Sequence, residues 1–209
     1  KFGFGGSTKY MVEMLEQGQM GYLLDAHSFD LDSVISIGKN SNHVPYSVFN
    51  AYNYHSKGNL TSMMDIMILG ATEVDLNFNG NVVTHSDGYL LHGIGGWQNC
   101  LHARNVILPL PLFRDRIPVI VDEVTTLCGP GELIDVIITE RGIAINPLRQ
   151  DLIDSLKDSG LPVKTIAGLK DEAEKICGKP SKPEFEDEIV AAVKWVDGTV
   201  IDVVRKIKK

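Results

Sequence analysis

The stretch MMDIMILGATEVDLNFNGNVV, residues 63–83, decides the fold class, because its hydrophobic period changes halfway along. Met63 to Ala71 is an almost unbroken apolar run ending in a glycine, the pattern of a strand covered on both faces in a parallel sheet flanked by helices. From Glu73 onward Val74, Leu76 and Phe78 alternate with Glu73, Asp75 and Asn77 before Asn79-Gly80 and a returning apolar segment. That is a hairpin signal, with the three polar side chains on one strand face.

Working outward, the same two periods recur. NVILPL, IPVIVDEV and IDVIITERGIAI, beginning at residues 105, 117 and 134, read as further strands. Helices are expected over 7–17, capped by Ser7 and stopped at Gly18, and over 31–40, capped by Asp30 with Val34 and Ile37 on one side. Two more follow, one after Pro147 and one over 167–177, with a short strand near GYLLDA between the first pair. Residues 41–59 are rich in turn formers and aromatics and are expected to form a long loop with strand fragments, Pro45 arguing against a central strand. IVAAVKWV and TVIDVVRKIKK flank Asp197-Gly198 as a long hairpin behind the Lys/Pro-rich linker GKPSKPEFED. The expected architecture is therefore α/β, an open, mostly parallel sheet flanked by helices. Residues 1–178 form the main domain, and 179–209 a linker and C-terminal β-hairpin packed on it.

Composition narrows the function. A chain of 209 residues with net charge -7 lacks the basic footprint that nucleic-acid binders concentrate on one face. It has no apolar run of about 18 residues for a membrane helix, and no signal-peptide pattern. Cys100, Cys128 and Cys177 are odd in number and scattered, which fits a reducing cytoplasm and neither a disulfide framework nor a metal knuckle. The histidines show no metal-ligand spacing, so no metal is expected. The chain starts at Lys1 without a methionine and is read as a piece of a longer one.

Chemistry concentrates at Gly93-Ile94-Gly95-Gly96, between a short strand and a helix beginning near Trp97. Glycines there allow a tight turn and close ligand approach, and the first helical amides point outward without internal partners, a receptor for an anion or developing oxyanion. The structural alternative is a turn that merely requires positive φ. A dinucleotide fingerprint is not completed, which disfavours a nicotinamide cofactor. Glu73, Asp75 and Asn77 either form a solvated strand face or fold over the turn. Glu123 and Glu140 close two apolar runs, where open α/β sheets place ligands, and His92 and His85 lie near the turn. Cys100 reads as a buried, inert thiol.

ILGATEVD, NGNV, GIGG, RIPVIVDEVTT, PGELIDVIITERGIAINP and DGTVIDVVR, in this order, closely resemble the alpha subunit family of citrate lyase, within the CoA-transferase superfamily. The likeness runs from about Gly5 to Arg205 and corresponds to the C-terminal half of that subunit. It implies transfer of an acyl-carrier or CoA thiol from an acetyl thioester to citrate, giving a citryl thioester and acetate. The implied thioester is CoA or phosphoribosyl-dephospho-CoA on an acyl carrier protein, and the implied partners are that carrier and the citryl-lyase subunit. Related sites form between two halves of the fold, so the resemblance implies that transfer also needs the other half.

In the covalent CoA-transferases a glutamate well upstream of the glycine turn is the nucleophile, whereas Phe4-Gly5-Gly6 stands in the matching stretch here. The resemblance thus implies direct attack by citrate. Gly95, Gly96, Trp97 and Glu73 are the expected catalytic residues. Gly5, Gly6, Asp75, Asn77, His92, Gly93, Glu123 and Glu140 are expected to bind substrate, and Arg114 or Arg116 to help hold the trivalent acid. One departure is Gly96-Trp97-Gln98-Asn99 where the family usually has Gly-Gly-His-Ser-Asp. It leaves open another acid such as citramalate, a non-catalytic scaffold in the lyase complex, or a sugar-phosphate binder on the same sheet.

Overall fold

The structure, a computed structural model, describes residues 1–53 and 60–208, which form two compact units, Lys1–Met63 and Met64–Lys209. Both are α/β; the strands of the smaller unit are all parallel, and the larger unit combines parallel and antiparallel pairs.

The smaller unit alternates strand and helix: β1 (Phe2–Ser7), α1 (Lys9–Glu16), β2 (Tyr22–Ser28), α2 (Leu31–Lys39), β3 (His43–Pro45) and α3 (Val48–Tyr52), ending in a 3₁₀ turn at Thr61–Met63. Its three strands are parallel in the order β1-β2-β3, and Phe4, Val12, Leu15, Leu23 and Ala51 are buried within the unit. Asp30 caps α2 as its sequence position predicts, accepting from the Ser33 amide at 2.9 Å. The first helix departs from expectation: it starts at Lys9 behind Thr8, because the Ser7 hydroxyl donates instead to the buried Asp25 at 2.6 Å. On α2 the buried positions are Ser33 and Ser36, while Val34 is exposed, so the inward face is rotated from the one the apolar pattern suggests. The stretch 41–59 contains β3 and α3; Pro45 ends β3, a sheet-edge strand, and 54–59 lie outside the described residues.

The larger unit opens with β4 (Met67–Ile68), the hairpin strands β5 (Glu73–Asp75) and β6 (Gly80–Asn81), and the short α4 (Trp97–Cys100). There follow β7 (Val106–Pro109), β8 (Phe113–Arg114), β9 (Ile117–Pro118), β10 (Ile120–Val121), β11 (Val136–Thr139), β12 (Gly142–Ile145), α5 (Gln150–Leu156), β13 (Val163–Lys164) and α6 (Ile166–Cys177). The expected hairpin ends the chain as β14 (Phe185–Lys194) and β15 (Val200–Ile207). A five-stranded sheet runs β13-β12-β11-β7-β4, parallel except between β11 and β12, and a second sheet runs β10-β5-β6.

Strand alternation sets the two faces of the five-stranded sheet. Val106, Leu108, Ile137 and Ala144 are buried in one core cluster with Val74 and Ile120, with Leu169 and Ala173 of α6, and with Val193 and Val204 of the C-terminal hairpin. The run 63–71 is not covered on both sides as expected: β4 is a two-residue edge strand, and Ile66 and Ile68 are exposed. Among the described residues no helix is long and apolar enough to cross a membrane.

Candidate active site

The β5–β6 hairpin pairs Glu73 with Asn81 and Val74 with Gly80, but its polar residues are not a solvated face. Glu73 is only 1 % exposed; its Oε2 accepts from Asn81 Nδ2 at 3.0 Å and the Thr125 amide at 2.8 Å, and Oε1 accepts from the Thr125 hydroxyl at 3.2 Å. Asp75, equally buried, accepts from the amides of Asn77 and Asn79 at 2.8 and 3.0 Å and from Asn79 Nδ2 at 3.0 Å. This is an Asx turn, and it holds Phe78 at φ 65, a conformation an aromatic residue adopts only when its surroundings enforce it. Asn77 itself is exposed. A carboxylate buried with several donors serves first to satisfy the backbone around it.

The glycine turn that follows is the opposite. Gly93 and Gly95 are exposed, Gly95 sits at φ 59, and a methyl group added there would meet nothing within 4 Å, so the requirement for glycine is one of backbone angle. Trp97 is buried at the start of α4. Its amide turns back to Ile94 O at 3.3 Å, while among the described residues the amides of Gly95 and Gly96 have no hydrogen-bond partner. The helix expected here is a single turn, continued by looser bonds such as Leu101 to Gln98.

Beside the turn lies an open cleft of about 270 Å³, walled by Gly70, Ala71 and Thr72 on one side and by Val82, His92, Ile94 and Trp97 on the other. The 70–72 wall is fixed from two directions. The Trp97 indole donates to Gly70 O at 2.8 Å, and the Arg114 guanidinium donates to the carbonyls of Ala71 and Thr72 at 2.7 and 2.8 Å. Arg114 is thereby committed to the scaffold. The Nδ1 of His92 lies 2.8 Å from Gly93 O. A carbonyl can only accept, so Nδ1 carries the proton and Nε2 is left for a ligand or solvent.

Among the described residues no carboxylate lines this cleft. Glu123 is exposed and 3.8 Å from Lys182, and Glu140 accepts from the Leu112 amide at 2.9 Å, pinning the strand that leads to Arg114. Gly5 and Gly6 belong to the smaller unit. Gly5 has φ 115 where the β1–β2 register slips, and the Phe29 ring covers Gly6 so closely that a methyl there would lie 2.0 Å from it. Next to them is a cluster that spacing did not reveal: Asp25 Oδ2 accepts from the hydroxyls of Ser7 and Ser28 and lies 3.2 Å from His43 Nε2. Its partners come from both neighbouring strands and from the end of its own, so no local motif announces it.

Cys100 is buried, and desolvation pushes its thiol up to about 12, an inert group as expected. Cys128 is also raised, first by burial. Among the described residues no three His, Cys, Asp or Glu side chains gather as metal ligands would.

Comparison with known proteins agrees along the whole length. The family model for the citrate lyase alpha subunit (CitF) matches residues 1–207. The chain is 43 % identical over 208 residues to the citrate lyase alpha chain of Klebsiella pneumoniae, covering 99 % of itself and 41 % of that protein. It is 40 % identical over 209 residues to the Escherichia coli alpha chain, covering 100 % of itself and 41 % of that relative. The crystal structure described as the alpha subunit of citrate lyase in complex with citrate, from Streptococcus mutans, superposes with a TM-score of 0.96 at 42 % identity, over 100 % of this chain and 41 % of that one. The chain thus spans about two fifths of the length of the relatives it matches. On the strength of the family match and of these relatives together, the chain belongs to the citrate lyase alpha subunit family.

Proposed function

We propose that this chain carries the oxyanion-binding part of a citrate:acetyl-thioester transferase, in which the acid substrate and not a protein glutamate attacks the thioester. A citrate carboxylate adds to the acetyl carbonyl and expels the thiolate, forming a citryl–acetyl mixed anhydride. The thiolate then attacks the citryl carbonyl of the anhydride and releases acetate, giving the citryl thioester. Charge develops on a carbonyl oxygen in each step. Preorganised donors stabilise that oxygen, and one good donor contributes about 3 kcal/mol. Here the donors are the amides of Gly95 and Gly96, beside the cleft that His92 and Ile94 line.

The observation that carries this reading is the exposed glycine turn, whose amides have no partner among the described residues, beside a cleft whose described walls hold no carboxylate. Glu73 supports it from the other side, since its oxygens are already engaged by Thr125 and Asn81. Where no covalent nucleophile is supplied, the protein accelerates the reaction by holding two reactants in attack geometry. The thioester is CoA or the related arm on an acyl carrier protein, and the citryl product passes to a separate lyase subunit; both are part of the proposal.

Mixing acetyl-CoA and citrate with the subunit that contains this chain, then following products by mass spectrometry, tests the reading. Citryl-CoA and acetate in equal amounts are expected. Association with lyase partners in the absence of any transfer would instead make the chain a scaffold.

A further inference from the structure

The glycine-turn cleft has two further cavities next to it. Thr72, in its wall, also lines an adjoining cavity of about 280 Å³. That cavity shares Ser86, Asp87, Ile117 and Pro118 with a third, of about 310 Å³, closed by the linker residues Pro180 and Pro183. The three are therefore neighbours on the larger unit, linked by shared wall residues. The prolines fix the far wall, because their φ angles are locked before any ligand arrives.

Charge is distributed unevenly among them. Arg114 faces the middle cavity but is spent on the carbonyls of Ala71 and Thr72. Asp115, in the same cavity, precedes Arg116 in the turn. In the far cavity Lys179 is paired with Asp122 at 3.1 Å, Lys208 with Glu184 at 3.6 Å, and Asp87 accepts from the Tyr89 amide at 3.0 Å. Among the described residues the Arg116 side chain makes no ion pair or hydrogen bond, whereas both lysines and Glu184 of the same cavity are in ion pairs. Its backbone is unusual as well. Asp115 and Arg116 form the two-residue turn between β8 and β9 at φ 45 and φ 69, a turn that favours Asn-Gly. Holding an arginine in the left-handed region is unfavourable, and such outliers gather at ligand clamps.

We infer that Arg116 grips a phosphate of the thioester's carrier arm, with the thiol end of that arm lying at the glycine turn. This rests on the transfer reading above and adds to it a binding residue and a direction for the substrate. A planar guanidinium suits a phosphate because it offers two parallel N–H donors, and an arm of alternating amide and methylene groups suits a groove walled by Ile117, Pro118 and the linker prolines. Free CoA and the same phosphorylated arm on an acyl carrier protein share this chemistry.

The test is calorimetric binding, to the subunit that contains this chain, of CoA and of pantetheine, which keeps the thiol arm and lacks the phosphates. Arg116→Gln should weaken CoA about tenfold and leave pantetheine unchanged. Arg141→Gln, at the β11–β12 turn outside the groove, should alter neither. The same tenfold loss with a carrier protein bearing the arm would identify the carrier as the natural source, and loss confined to CoA would identify the free cofactor. The inference is overturned if Arg116→Gln leaves CoA affinity intact, if it weakens both ligands alike, or if the unaltered chain binds neither. Arg116-dependent CoA binding without citryl-CoA formation would instead leave the groove standing and remove the transfer reading.

Discussion

Fewer than twenty residues separate Asp75 from Gly93, yet the two regions they mark are physical opposites. In the β5–β6 hairpin, Glu73 and Asp75 are buried with every carboxylate oxygen engaged by an amide, an amide side chain or a hydroxyl. In the glycine turn the backbone is open, and among the described residues the amides of Gly95 and Gly96 have no partner. The difference teaches that acidic side chains near a site need not be its chemistry. Here the charged residues build the frame, and the residues without side chains present the donors.

The comparison breaks most visibly at Glu73. Removing a buried, multiply bonded carboxylate leaves Thr125 and Asn81 donors without acceptors, so Glu73→Ala should destabilise the larger unit by about 3 kcal/mol, read as a lower urea midpoint. Glu73→Gln, which keeps one acceptor oxygen, should lose less. An unchanged midpoint combined with lost transfer would move Glu73 from frame to chemistry.

Gly95 sharpens the other half with a smaller effect on stability. Because a methyl group at Gly95 has open space around it, Gly95→Ala should cost only about 1 kcal/mol, from φ 59 alone. Transfer should nevertheless fall about 100-fold as the neighbouring amides swing off the oxyanion position. Gly95→Asn, which tolerates the left-handed region better, should recover part of the rate. Equal rates in all three proteins would show that the turn is a mere connection.

What was legible in the sequence follows the same division. The Asp30 cap, α6 and the Asp197-Gly198 hairpin were readable because their signals are local: a capping side chain, a 3.6-residue period, a two-residue turn. The glycine turn was readable for the same reason. Burial of Glu73 was not, since its partner Thr125 lies 52 residues away and alternation alone looks the same on a wet or a dry strand. Ser7 was misread as a cap because its true partner, Asp25, sits on the adjacent strand eighteen residues on. Arg114 looked like a ligand for an acid, and only the fold shows its guanidinium spent on Ala71 and Thr72. Likewise the run 63–71 resembled a fully covered strand because apolar composition does not say where the sheet ends.

The most direct test of the account follows oxygen through a single turnover. With subunit in excess over acetyl-CoA and with citrate carrying ¹⁸O in its carboxylates, direct attack places a citrate oxygen in the released acetate, and the account predicts labelled acetate in the first turnover. Unlabelled acetate, with ¹⁸O deposited in a glutamate of the protein, would contradict it.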